Sequence, residues 1–151
     1  MALNFLCPVH RDWVYFHPQD ALTQLEETQQ QGEFFMQKQQ WQEAMPFLGC
    51  AFETTEILIE LQGNGKSFLL SRLTTLAILL ATNFANLNAM NYAQLILKQA
   101  QEKLQMVADN SLDNQPKQDH IEQCLVAVKS RLEQFVFMHP LAQNMSTAQL
   151  H

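Results

Sequence analysis

The sequence predicts an all-α fold of about five helices, and three observations carry that expectation. The 151 residues are 47% hydrophobic and only 16% charged, enough apolar content for one packed domain. Four glycines and five prolines are too few for the tight turns of a β-sandwich or a glycine-lined nucleotide fold. From residue 19 onward, apolar residues recur at helical spacing, interrupted by short polar breaks. The scarcity of charge is made up by glutamine, of which there are 20. Nine basic residues stand against 15 acidic ones, a net charge of -6. With no cluster of Lys and Arg to meet phosphates, this balance argues against a nucleic-acid partner.

Residues 1–18 are aromatic and bounded by Pro8 and Pro18, with no clear period, and read as an extended arm. Its Trp13, Tyr15 and Phe16 are candidates for a dimer contact, with packing on the chain's own body as the alternative. Pro18-Gln19-Asp20 is a helix start, and Leu22, Leu25, Gln29, Gly32, Phe35 and Met36 follow it at helical spacing. After a break at 38–40, a second helix over 41–61 carries Ala44, Phe47, Leu48, Ala51, Phe52, Leu58 and Leu61. Pro46 falls near its first turn. Gln62-Gly63-Asn64-Gly65 is the strongest breaker in the chain. A third helix is expected over 67–86 with Ser67 as its N-cap, and a fourth over 90–108. A polar loop over 109–117 leads to a fifth helix over 118–138. There Ile121, Leu125, Val128, Leu132, Phe135 and Val136 share one side. His139-Pro140 is expected to stop it and leave 139–151 as a flexible tail. The expected organisation is therefore an arm (1–18), one helical domain (19–138) and a tail (139–151).

Cys7, Cys50 and Cys124 are odd in number and widely spaced, which suits reduced thiols in a cytoplasmic protein rather than a disulfide scaffold. The first residues lack the basic and apolar regions of a signal peptide. Residues 73–97 carry no charge, but Asn83, Asn86, Asn88 and Asn91 interrupt them, so buried helices are expected in place of a membrane span.

Internal similarity is the most informative feature. Gly32, Phe35, Trp41, Glu43, Ala44, Leu48 and Ala51 recur as Ala81, Phe84, Met90, Tyr92, Ala93, Leu97 and Ala100, each 49 positions on. Small residues let paired helices approach, and the aromatic three residues later fills the space between them. The pattern resembles the tetratricopeptide repeat over roughly 26–56 and 75–106. The family's Trp is replaced by Thr28 and Ala77, its closing Pro by Glu56 and Gln105, and its usual period is about 34 residues. The resemblance implies two antiparallel helical hairpins with the fifth helix as a cap. It further implies a non-catalytic adaptor or chaperone that binds a protein or peptide in a groove. Small acidic proteins with such repeats include the chaperones of bacterial type III secretion systems. The groove would carry Glu26, Gln29, Glu33, Met36 and Gln37 from one hairpin, and Thr75, Ile78, Thr82, Ala85 and Asn86 from the next.

Other motifs carry less. Gly63-Asn64-Gly65-Lys66-Ser67 resembles the end of a phosphate loop, but Glu60 stands where the loop's first glycine must be. Cys7-x2-His10 with His17, and His120 with Cys124, are half-sites for zinc. The sequence leaves their metal binding open, and we read no cofactor and no metal site. No Ser-His-Asp or Cys-His constellation has a supporting motif, so no enzyme is expected. Glu26 and Glu27, Glu53 and Glu56, and Glu122 and Glu133 read as solvent-facing carboxylates.

Overall fold

The computed structural model describes residues 2–62 and 66–149, with side chains through 136. Among the described residues there are six helices and no strand: α1 (Pro8–Phe16), α2 (Pro18–Gln37), α3 (Trp41–Leu61), α4 (Ser67–Asn86), α5 (Met90–Asp109) and α6 (Gln115–Gln149). The all-helical class is as expected. Gly63, Asn64 and Gly65, the expected breaker, lie outside the described residues.

Three local expectations are corrected. The arm is not extended throughout, because α1 forms within it. Pro8 occupies a first-turn position whose N–H has no helical partner anyway, and the Cys7 thiol accepts from the His10 N–H at 3.4 Å. Helix α4 starts at Ser67, but Lys66 holds the cap position and no side chain caps it. Helix α6 begins early, where Asn114 Oδ1 accepts the Lys117 N–H at 3.2 Å, and its backbone stays helical past His139-Pro140 to Gln149. A proline deletes one donor and crowds the preceding turn, yet the residues beyond it retain their own helical bonds. Pro46 likewise sits inside α3, on an exposed position.

Both hairpins close on the same turn. The Gln40 N–H donates to the Phe35 carbonyl at 2.9 Å, and the Gln39 N–H to Met36 at 2.9 Å. Forty-nine residues later, Ala89 donates to Phe84 at 2.9 Å and Asn88 to Ala85 at 3.1 Å. These two crossed bonds form a Schellman motif, which needs a left-handed residue just beyond the helix. Gln39 (φ 59°) and Asn88 (φ 61°) take that conformation. The turn brings α2 against α3 so closely that a Cβ at Gly32 would lie 2.7 Å from Leu48 Cδ2. Phe35 stacks on Phe47 with centroids 5.5 Å apart, and Phe84 meets Tyr92 at the same separation.

Helix α3 packs on α2 and α4, α4 on α5 and α6, and α5 on α6; α1 lies across α2 and α3. The core is made by Leu48, Phe52, Leu58, Leu73, Leu80, Ile96, Leu97 and Leu104, all fully buried. The uncharged run 73–97 is not one span but the end of α4, the Schellman turn and the start of α5. Among the described residues α4 is the one helix long and apolar enough to cross a membrane by length and composition, and half of it is buried in the bundle.

Gln39 bears the cost of a left-handed conformation that glycine adopts freely. Gln39→Gly is expected to stabilise the fold by about 0.5–1 kcal/mol, and Asn88→Gly by less, since Asn tolerates this region better. Urea denaturation measures both, and a loss of stability in Gln39→Gly would contradict the turn assigned here.

Candidate functional site

Two faces of the bundle present polar side chains in an ordered way. The first is formed by α2 and α4. Glu26, Gln37, Thr75 and Asn86 are exposed there, while Gln29, Glu33 and Thr82 are half-buried. Met36, Ile78 and Ala85 are half-buried and pack against the core. Arg72 Nη1 donates to Gln29 Oε1 at 2.7 Å and ties the two helices together. Thr82 Oγ1 donates to the Ile78 carbonyl, and Asn86 Nδ2 to that of Thr82, so both side chains are turned back on their own helix. Neither α2 nor α4 is buried on all sides.

The second face was not foreseen. The segment 2–6 lies in a slot whose walls are Glu53 of α3 and Gln99 of α5, two helices that also meet through Gln99 and Glu56. Glu53, only 3% exposed, accepts the Phe5 N–H and the Leu6 N–H (3.0 Å) on Oε1. Its Oε2 accepts Arg11 Nε at 2.9 Å and also Arg11 Nη2. The hydrogen bond and the charge of Glu53 hold the Arg11 guanidinium above its ordinary pKa. Gln99 meets Leu3 with both ends of its amide: Oε1 accepts the Leu3 N–H at 2.8 Å, and Nε2 donates to the Leu3 carbonyl at 3.5 Å. The same Nε2 donates to the Glu56 carboxylate at 3.0 and 3.1 Å. The Phe5 ring sits on Gly49, where a Cβ would overlap it. Glu53 and Glu56 are thus not solvent-facing as expected. The available signal was that α3 carries Glu43, Glu53, Glu56 and Glu60 and no cation, so its central acids needed donors from elsewhere. Arg11 and Gln99 stand too far off in sequence for spacing to reveal them.

The three aromatics of the arm differ in exposure and in partners. Trp13 packs with Leu6, Val14, Ala21, Ile57 and Cys50 in a small second core. Tyr15 donates to Glu60 Oε2 at 3.1 Å, and burial together with that carboxylate raises its pKa. Phe16 is 79% exposed, as is Val9 (80%) two turns earlier. Beneath Trp13, a pocket of about 40 Å³ is lined by His10, Cys50 and Thr54 among others, and has room for a water rather than a substrate. Burial pushes the Cys50 thiol pKa up, which disfavours a reactive thiolate. On the outer side of the first hairpin, Phe34, Phe35 and Phe47 line an open cleft of about 490 Å³, with the Lys38 ammonium 4.4 Å from the Phe34 ring centre.

His120 and Cys124 do meet, with Nε2 and Sγ 3.9 Å apart. His120 Nε2 also lies 2.9 Å from Ser71 Oγ and 3.0 Å from the Ser67 carbonyl, which joins α6 to α4. Among the described residues no three of His, Cys, Asp and Glu come together as metal ligands, so the half-site at Cys7, His10 and His17 does not combine with the pair on α6. No family model, no curated protein and no solved structure matches the chain.

Burial raises the Glu56 pKa from 4.5 to about 7, against the Gln99 hydrogen bond and the Lys103 charge, which lower it; Glu53 and Glu60 add to the rise. A carboxyl whose folded pKa lies above its unfolded value binds more protons when folded. Its contribution is therefore largest at low pH and is lost as pH rises from about 4.5 to about 7. The loss is of the order of 3 kcal/mol at most. Glu56→Gln is expected to flatten that slope and to be more stable than the parent at pH 8. Urea titrations at pH 5 and pH 8 check it, and an unchanged slope would remove Glu56 as its source.

Proposed function

We propose that this protein is a non-catalytic adaptor or chaperone that holds a protein or peptide against the face formed by α2 and α4, in the manner of a tetratricopeptide-like array. The observation that carries the reading is the recurrence of one hairpin closure 49 residues apart, with the same hydrogen bonds and a left-handed residue at the same position. Two hairpins built alike place their first helices, α2 and α4, in equivalent roles, and α6 covers α4 and α5 as a cap would. The α2–α4 face offers uncharged amides and hydroxyls from Gln29, Gln37, Thr75, Thr82 and Asn86, with Glu26 and Glu33 beside them. Met36, Ile78 and Ala85 supply half-buried apolar groups. Such a surface suits an extended segment, whose backbone needs donors and acceptors and whose side chains need shallow apolar contact.

Selection of random displayed peptides on the immobilised protein tests this. Thr75 and Asn86 are exposed, so Thr75→Arg with Asn86→Arg obstructs the face without disturbing the core. Selected peptides are expected to bind this double variant at least about tenfold more weakly, a difference of roughly 1.4 kcal/mol. Peptides that bind parent and variant equally would place recognition elsewhere.

A second reading, self-association as a homodimer, is favoured by Val9 and Phe16. They lie seven residues apart on one side of α1 and are about four-fifths exposed. Trp13 offers less to that contact because it is partly buried against the second core. Sedimentation at micromolar concentration should then show a dimer that Phe16→Asp converts to monomer. A monomeric parent would dispose of this alternative.

A further inference from the structure

The slot between α3 and α5 treats residues 2–6 as a receptor treats a bound peptide. The segment is not helical and makes no ladder with another strand. Its backbone is instead met by side chains: the N–H and carbonyl of Leu3 by the two ends of the Gln99 amide, and the N–H groups of Phe5 and Leu6 by one oxygen of Glu53. One large side chain, Phe5, is seated on the bare backbone of Gly49, and Leu3 packs against the main core. Backbone bonds that any sequence satisfies, combined with a few side-chain seats, are how an extended ligand is recognised. Beneath the segment α3 and α5 meet through Gln99 and Glu56, so the same amide that receives Leu3 also joins the two walls of the slot. A cleft of about 300 Å³ beside Ala2, lined by Leu95, Lys98, Gln99 and Glu102, continues the track along α5.

We infer that the α3–α5 slot is a peptide-binding site in which residues 2–6 are the resident ligand, and that an extended partner segment with the leucine-x-aromatic-leucine pattern of Leu3-Asn4-Phe5-Leu6 exchanges with them. The partner is a protein segment of that apolar pattern. The acids Glu53, Glu56 and Glu60 along α3 select against a segment with acidic residues at the same places, and favour one that brings a cation where Arg11 now stands. Exchange leaves Glu53, Glu56 and Gln99 to water, which receives them well, and the incoming segment must restore the apolar contacts of Leu3, Phe5 and Leu6. This site is separate from the α2–α4 face, so either can fail without the other.

The test uses the full chain and a fluorescent synthetic peptide of residues 2–12 carrying Cys7→Ser. In anisotropy titrations, the full-length Phe5→Ala protein is expected to bind the peptide at least about tenfold more tightly than the parent, because its own segment has lost its seat. The peptide carrying Phe5→Ala, and the protein carrying Phe5→Ala with Gln99→Ala, should each lose that binding. A folded Phe5→Ala protein with no saturable binding overturns the inference. Hydrogen exchange on the parent provides an independent reading should that variant not fold. The Leu3, Phe5 and Leu6 amides are expected to exchange through local opening, at least about a hundredfold faster relative to their intrinsic rates than those of Leu58 and Leu97. Protection equal to the core would show a permanently fixed segment and overturn the proposal.

Discussion

Between Ala51 and Ile59, α3 has almost no side left for water: only Glu56 keeps partial access. A helix covered all round must have partners all round, and this requirement organises the first half of the chain. Helix α2 covers one side through the close approach at Gly32, and α4 covers another. The remaining sides fall to α1 and the segment 2–6. The covered stretch includes Glu53, Thr54 and Thr55, and their polar groups must be satisfied where they lie. Thr55 donates to the Ala51 carbonyl of its own helix at 2.7 Å. A carboxylate has no such recourse, since it needs donors and the helix interior has none to spare. The backbone of the segment and the Arg11 guanidinium supply them, so the acid in α3 fixes where the leading residues go.

Around the apolar core, several helix junctions are bridged by glutamine amides. Gln99 bridges α5, the leading segment and α3, while Gln29 receives Arg72 across α2 and α4. Gln118 Nε2 reaches the Ala108 and Ser111 carbonyls at 2.6 and 2.8 Å, closing the exposed end of α5. An amide both donates and accepts, and it does so without the desolvation cost of an ion. The low charge and high glutamine content therefore have a structural role at three separate junctions.

The helical content and the boundaries of α3 and α4 were legible because each begins and ends at a polar break beside a strong apolar period. The hairpin turns were legible as breaks, but not as left-handed turns, because Gln39 is a poor candidate for a position usually held by glycine. Helix α1 escaped notice because nine residues give too little period to count, and its start signal, a cysteine before a proline, is an uncommon cap. The acids of α3 were misread for a different reason. Spacing within a helix shows which residues share a side, but not whether a distant segment returns to cover that side. Glu53 is 42 residues from Arg11 and 48 from Phe5, beyond the reach of any local pattern.

That same separation bears on what the slot recognises. Contacts from Glu53 and Gln99 fall on backbone atoms, so they are nearly blind to the side chains of the segment they hold. Discrimination rests on the seat for Phe5 over Gly49 and on the packing of Leu3 and Leu6. A glycine at the seat is required by contact, since any Cβ there would occupy the space of the ring. The carboxylates then set the sign of the charge that follows the apolar residues, as Arg11 does in the resident segment. Backbone hydrogen bonds give such a site its hold, one aromatic its register and one cation its direction. The seat belongs to Gly49 alone, whereas Glu53 both holds the backbone and meets the cation, so its substitution affects those two together while Gln99 retains its own hold on Leu3.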